Sequence, residues 1–140
     1  MKTNAAFFIS LLLILVFAYT GSSKLLDSKA FVAVLHEVPV IGRGAGVVAI
    51  LLPLTELLIA LLLLFEGTRL IGLYASLVLL LLFTVYLVYM VLVVPKFPCS
   101  CGGVISSMSW KQHVVFNAVF IVLTVIGIRR LKRYSSVGGD

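Results

Sequence analysis

Four long hydrophobic runs constrain the fold of this chain more than any other feature of its sequence. They cover about residues 5–20, 45–65, 70–94 and 110–128. A hydrocarbon core of roughly 30 Å requires about 20 helical residues, so the two middle runs are long enough and the outer two need their flanking residues. Hydrophobicity within each run is continuous rather than alternating, which favours membrane-spanning helices over the strands of a barrel.

The composition excludes a soluble domain. Of the 140 residues, 62% are hydrophobic and only 11% are charged, and a small domain has too much surface for its volume to hide that much apolar area. We therefore predict an all-α membrane protein, a four-transmembrane-helix bundle in a lipid bilayer, with residues 1–140 as a single domain. The net charge of +6 does not indicate nucleic-acid binding, because the basic residues cluster just after the last run, where they signal topology.

The segment between the first two runs is too short and too polar to span. Asp27 or Ser28 can cap a helix that continues to about Glu37, and Pro39 then ends it. Apolar residues recur on one side of this segment, which predicts a short interfacial helix after the first span.

The placement of Lys and Arg predicts the orientation. The basic tail, residues 129–140, is expected in the cytoplasm because clusters of positive charge close to a span stay on that side. With four spans the N-terminus is cytoplasmic too, and the 95–109 loop lies on the opposite face. This predicts a multi-pass protein of the bacterial inner membrane. A cleaved signal peptide within residues 1–20 is the alternative, although its end lacks an Ala-x-Ala pattern.

The 95–109 loop contains the only two cysteines of the chain, Cys99 and Cys101, in the sequence Pro-Cys-Ser-Cys-Gly-Gly. Disulfides persist on the outer face of the membrane. Cysteines two residues apart lie near the upper limit of the Cα separation that a disulfide tolerates, and the strained small ring is easier to reduce than a structural disulfide. The pattern favours a redox pair. A structural disulfide, two inert cysteines and a copper(I) site stay open; zinc is not predicted, because with His113 there are only three soft ligands.

Several polar or aromatic residues of the hydrophobic runs are candidate binding residues. Glu56 lies in the middle of the second run, where a carboxylate must face the bundle, pair with another group or be protonated. Trp110, His113 and Asn117 share one helix face directly after the cysteine loop, which predicts a cavity where a small molecule meets the thiols. The alternative is interfacial anchoring and interhelical contact. Lys24, just after the first run, is by itself typical of a snorkelling lysine.

The order of short motifs along the chain resembles the MauE and DoxX-like membrane proteins. The motifs, which cover nearly the whole chain, are Gly21-x-x-Lys24-Leu-Leu-Asp27 after the first span, Leu52-Pro-x-x-Glu56 in the second, Tyr86 in the third, and Cys99-x-Cys101-Gly102 before Trp110 and Asn117. The resemblance implies a four-helix membrane fold with Cys99 and Cys101 as the redox pair. It makes Lys24 and Glu56 polar positions without an assigned role.

The resemblance also implies a function. The MauE branch is associated with maturation of methylamine dehydrogenase through disulfide formation in its cysteine-rich subunit. Its members are similar in layout to DsbB and the vitamin K epoxide reductase relatives, which pass electrons to a quinone. We therefore expect thiol–disulfide exchange with a periplasmic thioredoxin-like protein or a client with cysteines, and a membrane quinone is a candidate cofactor.

The chain departs from the family pattern in two ways. The second cysteine is followed by Gly102 instead of an aromatic residue, and there is no second cysteine pair. The missing pair favours a relay that works with a partner over a self-sufficient oxidase. Two other functions stay open: a non-catalytic assembly subunit with a structural disulfide, and a carrier of a small molecule or metal.

Overall fold

The part of the chain that the structure describes is almost entirely helical. The computed structural model describes residues 2–36, 42–93 and 110–138. Its helices are α1 (Lys2–Leu26), α2 (Ser28–His36), α3 (Ala45–Leu64), α4 (Arg69–Val93) and α5 (Trp110–Gly138), with a 3₁₀ turn at Gly42–Gly44. Across these three ranges there is no strand, and the four helices other than α2 are long and apolar enough to cross a membrane. The predicted all-α class with four spanning helices is confirmed.

The four long helices form a ring in which α1 and α4 lie on opposite sides. Each of these two helices packs against both α3 and α5. Near one end of the ring, Gly127 of α5 lies beside Ile9 of α1 and Leu73 of α4, so early residues of α1 and α4 meet late residues of α5. The long helices therefore alternate in direction along the chain, as in an up-and-down bundle.

The apolar core runs along the axis of the bundle. All four long helices contribute to it, through Ile9, Leu13, Phe17, Ile59, Leu63, Leu73, Leu79, Leu80 and Ile128. The outward faces of the same helices also carry many exposed Leu, Val and Phe side chains, which indicates a bilayer environment. Because lipid is as apolar as leucine, the helices must associate through close packing and buried polar contacts.

A glycine allows α1 and α3 to approach closely. A Cβ atom at Gly21 would lie 3.1 Å from Leu57 Cγ and 3.2 Å from the carbonyl oxygen of Pro53. Small residues at such crossings let two helix backbones come together. Leu57 and Pro53 lie on either side of Glu56 along α3, so this contact aligns the last turns of α1 with the centre of α3.

The short helix α2 packs against the beginning of α3. Phe31 and Leu35 are buried and form an apolar cluster with Ala45 and Ala49. The helix after the first span is thus present, from Ser28 to His36. It covers one side of the bundle close to the end of α1.

Two of the long helices extend beyond their predicted spans. α1 continues to Leu26, so Lys24 lies inside the helix. α5 has 29 residues and ends at Gly138, so most of the predicted basic tail is helical. Leu, Lys and Arg are good helix formers, so the helix does not stop where hydrophobicity stops. At about 44 Å, α5 is longer than a hydrocarbon core of roughly 30 Å. The basic residues of its last turns are exposed at one end of the bundle.

Candidate functional site: a buried ion pair in an apolar cavity

A cavity of about 290 Å³ lies in one half of the bundle, and all five helices contribute to its lining. This half contains the last turns of α1 and α4 and the first turns of α5, and we call it the cavity half. Most of the lining is apolar, and its polar side chains are Thr20, Lys24, Glu56, Tyr86, His113 and Asn117. The opposite half, which we call the basic half, leads to four exposed residues of α5, Arg129, Arg130, Lys132 and Arg133.

Lys24 and Glu56 form an ion pair in the wall of the cavity. Lys24 Nζ donates a hydrogen bond to Glu56 Oε1 at 2.6 Å, and the two side chains are 9% and 1% exposed. Gly21 is the residue of α1 that faces the centre of α3, so the Lys24 side chain reaches back one turn. Side chains on a helix point toward its N-terminus, which favours this direction. The interpretation of Lys24 as a snorkelling residue is wrong, because its ammonium group points inward to a carboxylate.

Two aromatic rings flank the ammonium group of Lys24. Its Nζ atom lies 5.2 Å from the ring centroid of Phe83 and 5.8 Å from that of Phe31. A cation within about 6 Å of a ring face is attracted by the ring quadrupole. Residues from α2, α3 and α4 therefore hold one lysine of α1, and the ion pair links four helices.

The second oxygen of the Glu56 carboxylate, Oε2, is buried and accepts no hydrogen bond from the residues that the structure describes. The Thr20 hydroxyl lies within hydrogen-bonding reach of the carboxylate, and in this structure it donates to the carbonyl oxygen of Val16 at 2.9 Å instead. A hydroxyl has a single proton to donate. In this arrangement Oε2 is a buried acceptor that the described side chains do not satisfy.

The structure brings most of the candidate residues of the spans into one cavity. Lys24, Glu56, His113 and Asn117 all line it, and Asn117 is almost fully buried. The side chain of Trp110, together with Cys99 and Cys101, lies outside the described residues. Among the described side chains, no group of three His, Cys, Asp or Glu is placed to hold a metal ion.

Sequence reasoning missed the residues that surround the ion pair. Thr20, Phe31 and Phe83 each lie against Lys24 or Glu56. For Thr20 a signal was present, because it precedes Lys24 by four residues and so shares a face of α1 with it. For the two phenylalanines there was none, since one phenylalanine among many in an apolar helix is not distinguishable from a core residue.

The comparison with known families covers nearly the whole chain. Residues 2–130 match the family model described as methylamine utilisation protein MauE. The matched region includes the four long helices as far as Arg130, and with them every residue that lines the cavity. Neither the search of curated proteins nor the search of solved structures found a match.

Proposed function

The chain belongs to the methylamine utilisation protein MauE family, and from that membership we propose that it takes part in thiol–disulfide exchange during the maturation of extracytoplasmic proteins. The residues that would exchange are Cys99 and Cys101, the only cysteines of the chain. One observation carries the proposal. The segment with both cysteines follows α4 and precedes α5 in the sequence, and the last turn of α4 and the first turn of α5 lie in the cavity half, opposite the basic turns of α5.

The positions of the basic residues in the bundle indicate its orientation in the membrane. Arg69 lies at the start of α4, in the basic half together with the exposed cluster of α5. Positive charge close to spans favours the cytoplasm. We therefore infer that both termini are cytoplasmic and that the cysteine segment faces the outside of the bacterial inner membrane, where disulfides persist.

The proposed exchange proceeds through a mixed disulfide. A thiolate of the client attacks the Cys99–Cys101 disulfide, one cysteine leaves as a thiolate, and the second client thiolate releases the client as a disulfide. The client loses two electrons and two protons, and the cysteine pair gains them. Because the chain has no second pair, a thioredoxin-like partner or a membrane quinone must reoxidise it. The family link makes the cysteine-rich subunit of methylamine dehydrogenase the first client to test.

We expect single cysteine variants to reveal the exchange as a trapped intermediate. In acid-quenched cells alkylated with a mass tag, the unaltered protein should contain both reduced and oxidised pairs, because the pair turns over. Either Cys99→Ser or Cys101→Ser should accumulate a covalent adduct that dithiothreitol releases. The remaining thiol can attack the disulfide of the thioredoxin-like partner that reoxidises the pair, and the second cysteine that would resolve this mixed disulfide is gone. The double variant should form no adduct and should leave the client reduced.

The opposite result would identify an assembly subunit. A pair that is always oxidised, no adduct in either single variant and a client whose redox state does not change would together show a structural disulfide. In that case the double variant should lower the abundance of the protein instead.

Reporter fusions test the orientation independently of redox chemistry. Green fluorescent protein fused after Asp140 should fluoresce, because it is expected to face the cytoplasm. Alkaline phosphatase inserted in the 95–109 segment should be active, because it requires an oxidising compartment. A fusion in the turn between α3 and α4, at Gly67, serves as the cytoplasmic control. An inactive phosphatase at 95–109 together with an active one at Gly67 would exclude an extracytoplasmic cysteine segment.

A further inference from the structure

Glu56, which lines the cavity, has one oxygen that receives no hydrogen bond from the described part of the chain. Glu56 is 1% exposed, and Lys24 satisfies Oε1 alone. Among the described side chains, Oε2 is the buried polar atom that has no hydrogen-bond partner. A buried carboxylate oxygen without a donor is costly, and such atoms call for a water, an ion or a ligand. Glu56 is one of the residues that line the cavity, so a donor in the cavity lies next to this carboxylate.

The charge balance of the site favours a ligand whose hydrogen-bond donor is neutral. Lys24 already compensates the charge of Glu56 across 2.6 Å. A ligand with a full charge of either sign would leave an unpaired charge among the Leu, Val and Phe side chains of the lining, which is strongly unfavourable. A hydroxyl or neutral N–H group satisfies Oε2 and leaves the balance unchanged.

The volume and lining of the cavity favour an apolar ligand that contains a ring. Phe31, Phe83 and Phe116 contribute aromatic side chains to a lining that is otherwise mostly aliphatic. A cavity of about 150 Å³ is sufficient for benzene in an engineered protein, so about 290 Å³ accommodates a substituted six-membered ring and the first carbons of a tail. Such a molecule would reach the protein through the bilayer.

We propose that this cavity binds a neutral, lipid-soluble molecule whose ring-sized head group donates a hydroxyl or N–H hydrogen bond to Glu56 Oε2. Lys24 acts as a positioning residue, because it holds the carboxylate by its other oxygen. The proposal concerns ligand binding alone, so it does not depend on the cysteines or on the proposed exchange reaction.

A matched pair of probes tests the hydrogen bond directly. We would measure displacement of radiolabelled 4-hexylphenol from the full-length protein in lipid nanodiscs, with empty nanodiscs to subtract partitioning. 4-Hexylanisole has the same ring and tail but lacks the donor. Saturable binding of the phenol is expected, and the ether should compete at least about tenfold more weakly, because a hydrogen bond to a charged acceptor is lost.

The variant K24M/E56M removes the acceptor while keeping the site neutral. It should bind the phenol at least about tenfold more weakly and should no longer distinguish the phenol from the ether. The variant S76A removes a buried hydroxyl that bonds only within α4 and does not line the cavity, so it should bind as the parent does. Circular dichroism and gel filtration report whether each variant is folded.

Three results would overturn the proposal. They are no saturable binding of the phenol to the parent, equal competition by the phenol and the ether, and unchanged binding in folded K24M/E56M. Each would mean that water or the protein itself satisfies Oε2. If K24M/E56M does not fold, the comparison of phenol and ether on the parent still decides. The cysteine experiments have a different readout, so either proposal can fail without the other.

Discussion

Replacing Lys24 alone by methionine is expected to lower the free energy of unfolding by about 3–5 kcal/mol, because it leaves a buried carboxylate without its partner. Glu56 is 1% exposed and receives the 2.6 Å hydrogen bond from Lys24. Replacing Glu56 alone by methionine should also destabilise the fold, because it leaves the buried ammonium group of Lys24 without its carboxylate partner. The double variant should recover most of the loss, because a buried ion pair can often be replaced by apolar side chains at little cost.

The free energy of unfolding is measured by denaturant titration in mild detergent, with circular dichroism as the signal, and the values are combined in a double-mutant cycle. The parent, the two single variants and the double variant give the coupling energy of the pair. Lys29→Met and Glu66→Met are matched controls, because both residues are exposed, and each should change stability by less than about 0.5 kcal/mol. Additive single effects, with no recovery in the double variant, would contradict the pairing.

The second large effect is expected at Gly21, where α1 and α3 approach closely. In Gly21→Ala the new Cβ would lie 3.2 Å from a backbone oxygen that cannot move without displacing α3. Overpacking of this kind costs about 1–3 kcal/mol, and the larger Gly21→Leu should cost more. Because Gly21 precedes Lys24 by one turn, displacement of α1 should also weaken the ion pair.

Gly46 provides a matched control in another helix. It lies in the first turn of α3, and nothing lies within 4 Å of a Cβ atom built there. Gly46→Ala should therefore leave stability unchanged or raise it by up to about 1 kcal/mol, because alanine is the better helix former. Thermal unfolding of both variants in the same detergent checks the prediction. Destabilisation of equal size at the two positions would show that Gly21 is not a packing contact.

Much of the architecture follows from local properties of the sequence. The length and continuity of the hydrophobic runs predict four spanning helices, since in lipid every backbone polar group must be bonded within its own segment. The short helix Ser28–His36 was predicted because capping residues and proline act on their immediate neighbours. The order of short motifs predicted the family, which the match over residues 2–130 confirms.

The exact ends of the helices were less predictable. Hydrophobicity marks the part of a helix that fits the bilayer, while helical hydrogen bonding continues for as long as the residues tolerate it. For this reason α1 reaches Leu26 and α5 reaches Gly138, each beyond its hydrophobic run. The extension of α1 has a structural consequence, because it turns Lys24 from a residue after a helix into one on its inner face.

The sequence by itself determined that Glu56 must face the bundle, pair with another group or be protonated, because an exposed carboxylate in the middle of an apolar span is expensive. It did not determine which residue that partner is. Lys24 and Glu56 are 32 residues apart, and they meet because α1 packs against the centre of α3, which Gly21 allows at close range. The cavity, the positions of the rings around the ammonium group and the lack of a donor for Oε2 likewise depend on how the five helices pack together. Such contacts are set by the tertiary structure, since no local pattern records which helix faces are neighbours.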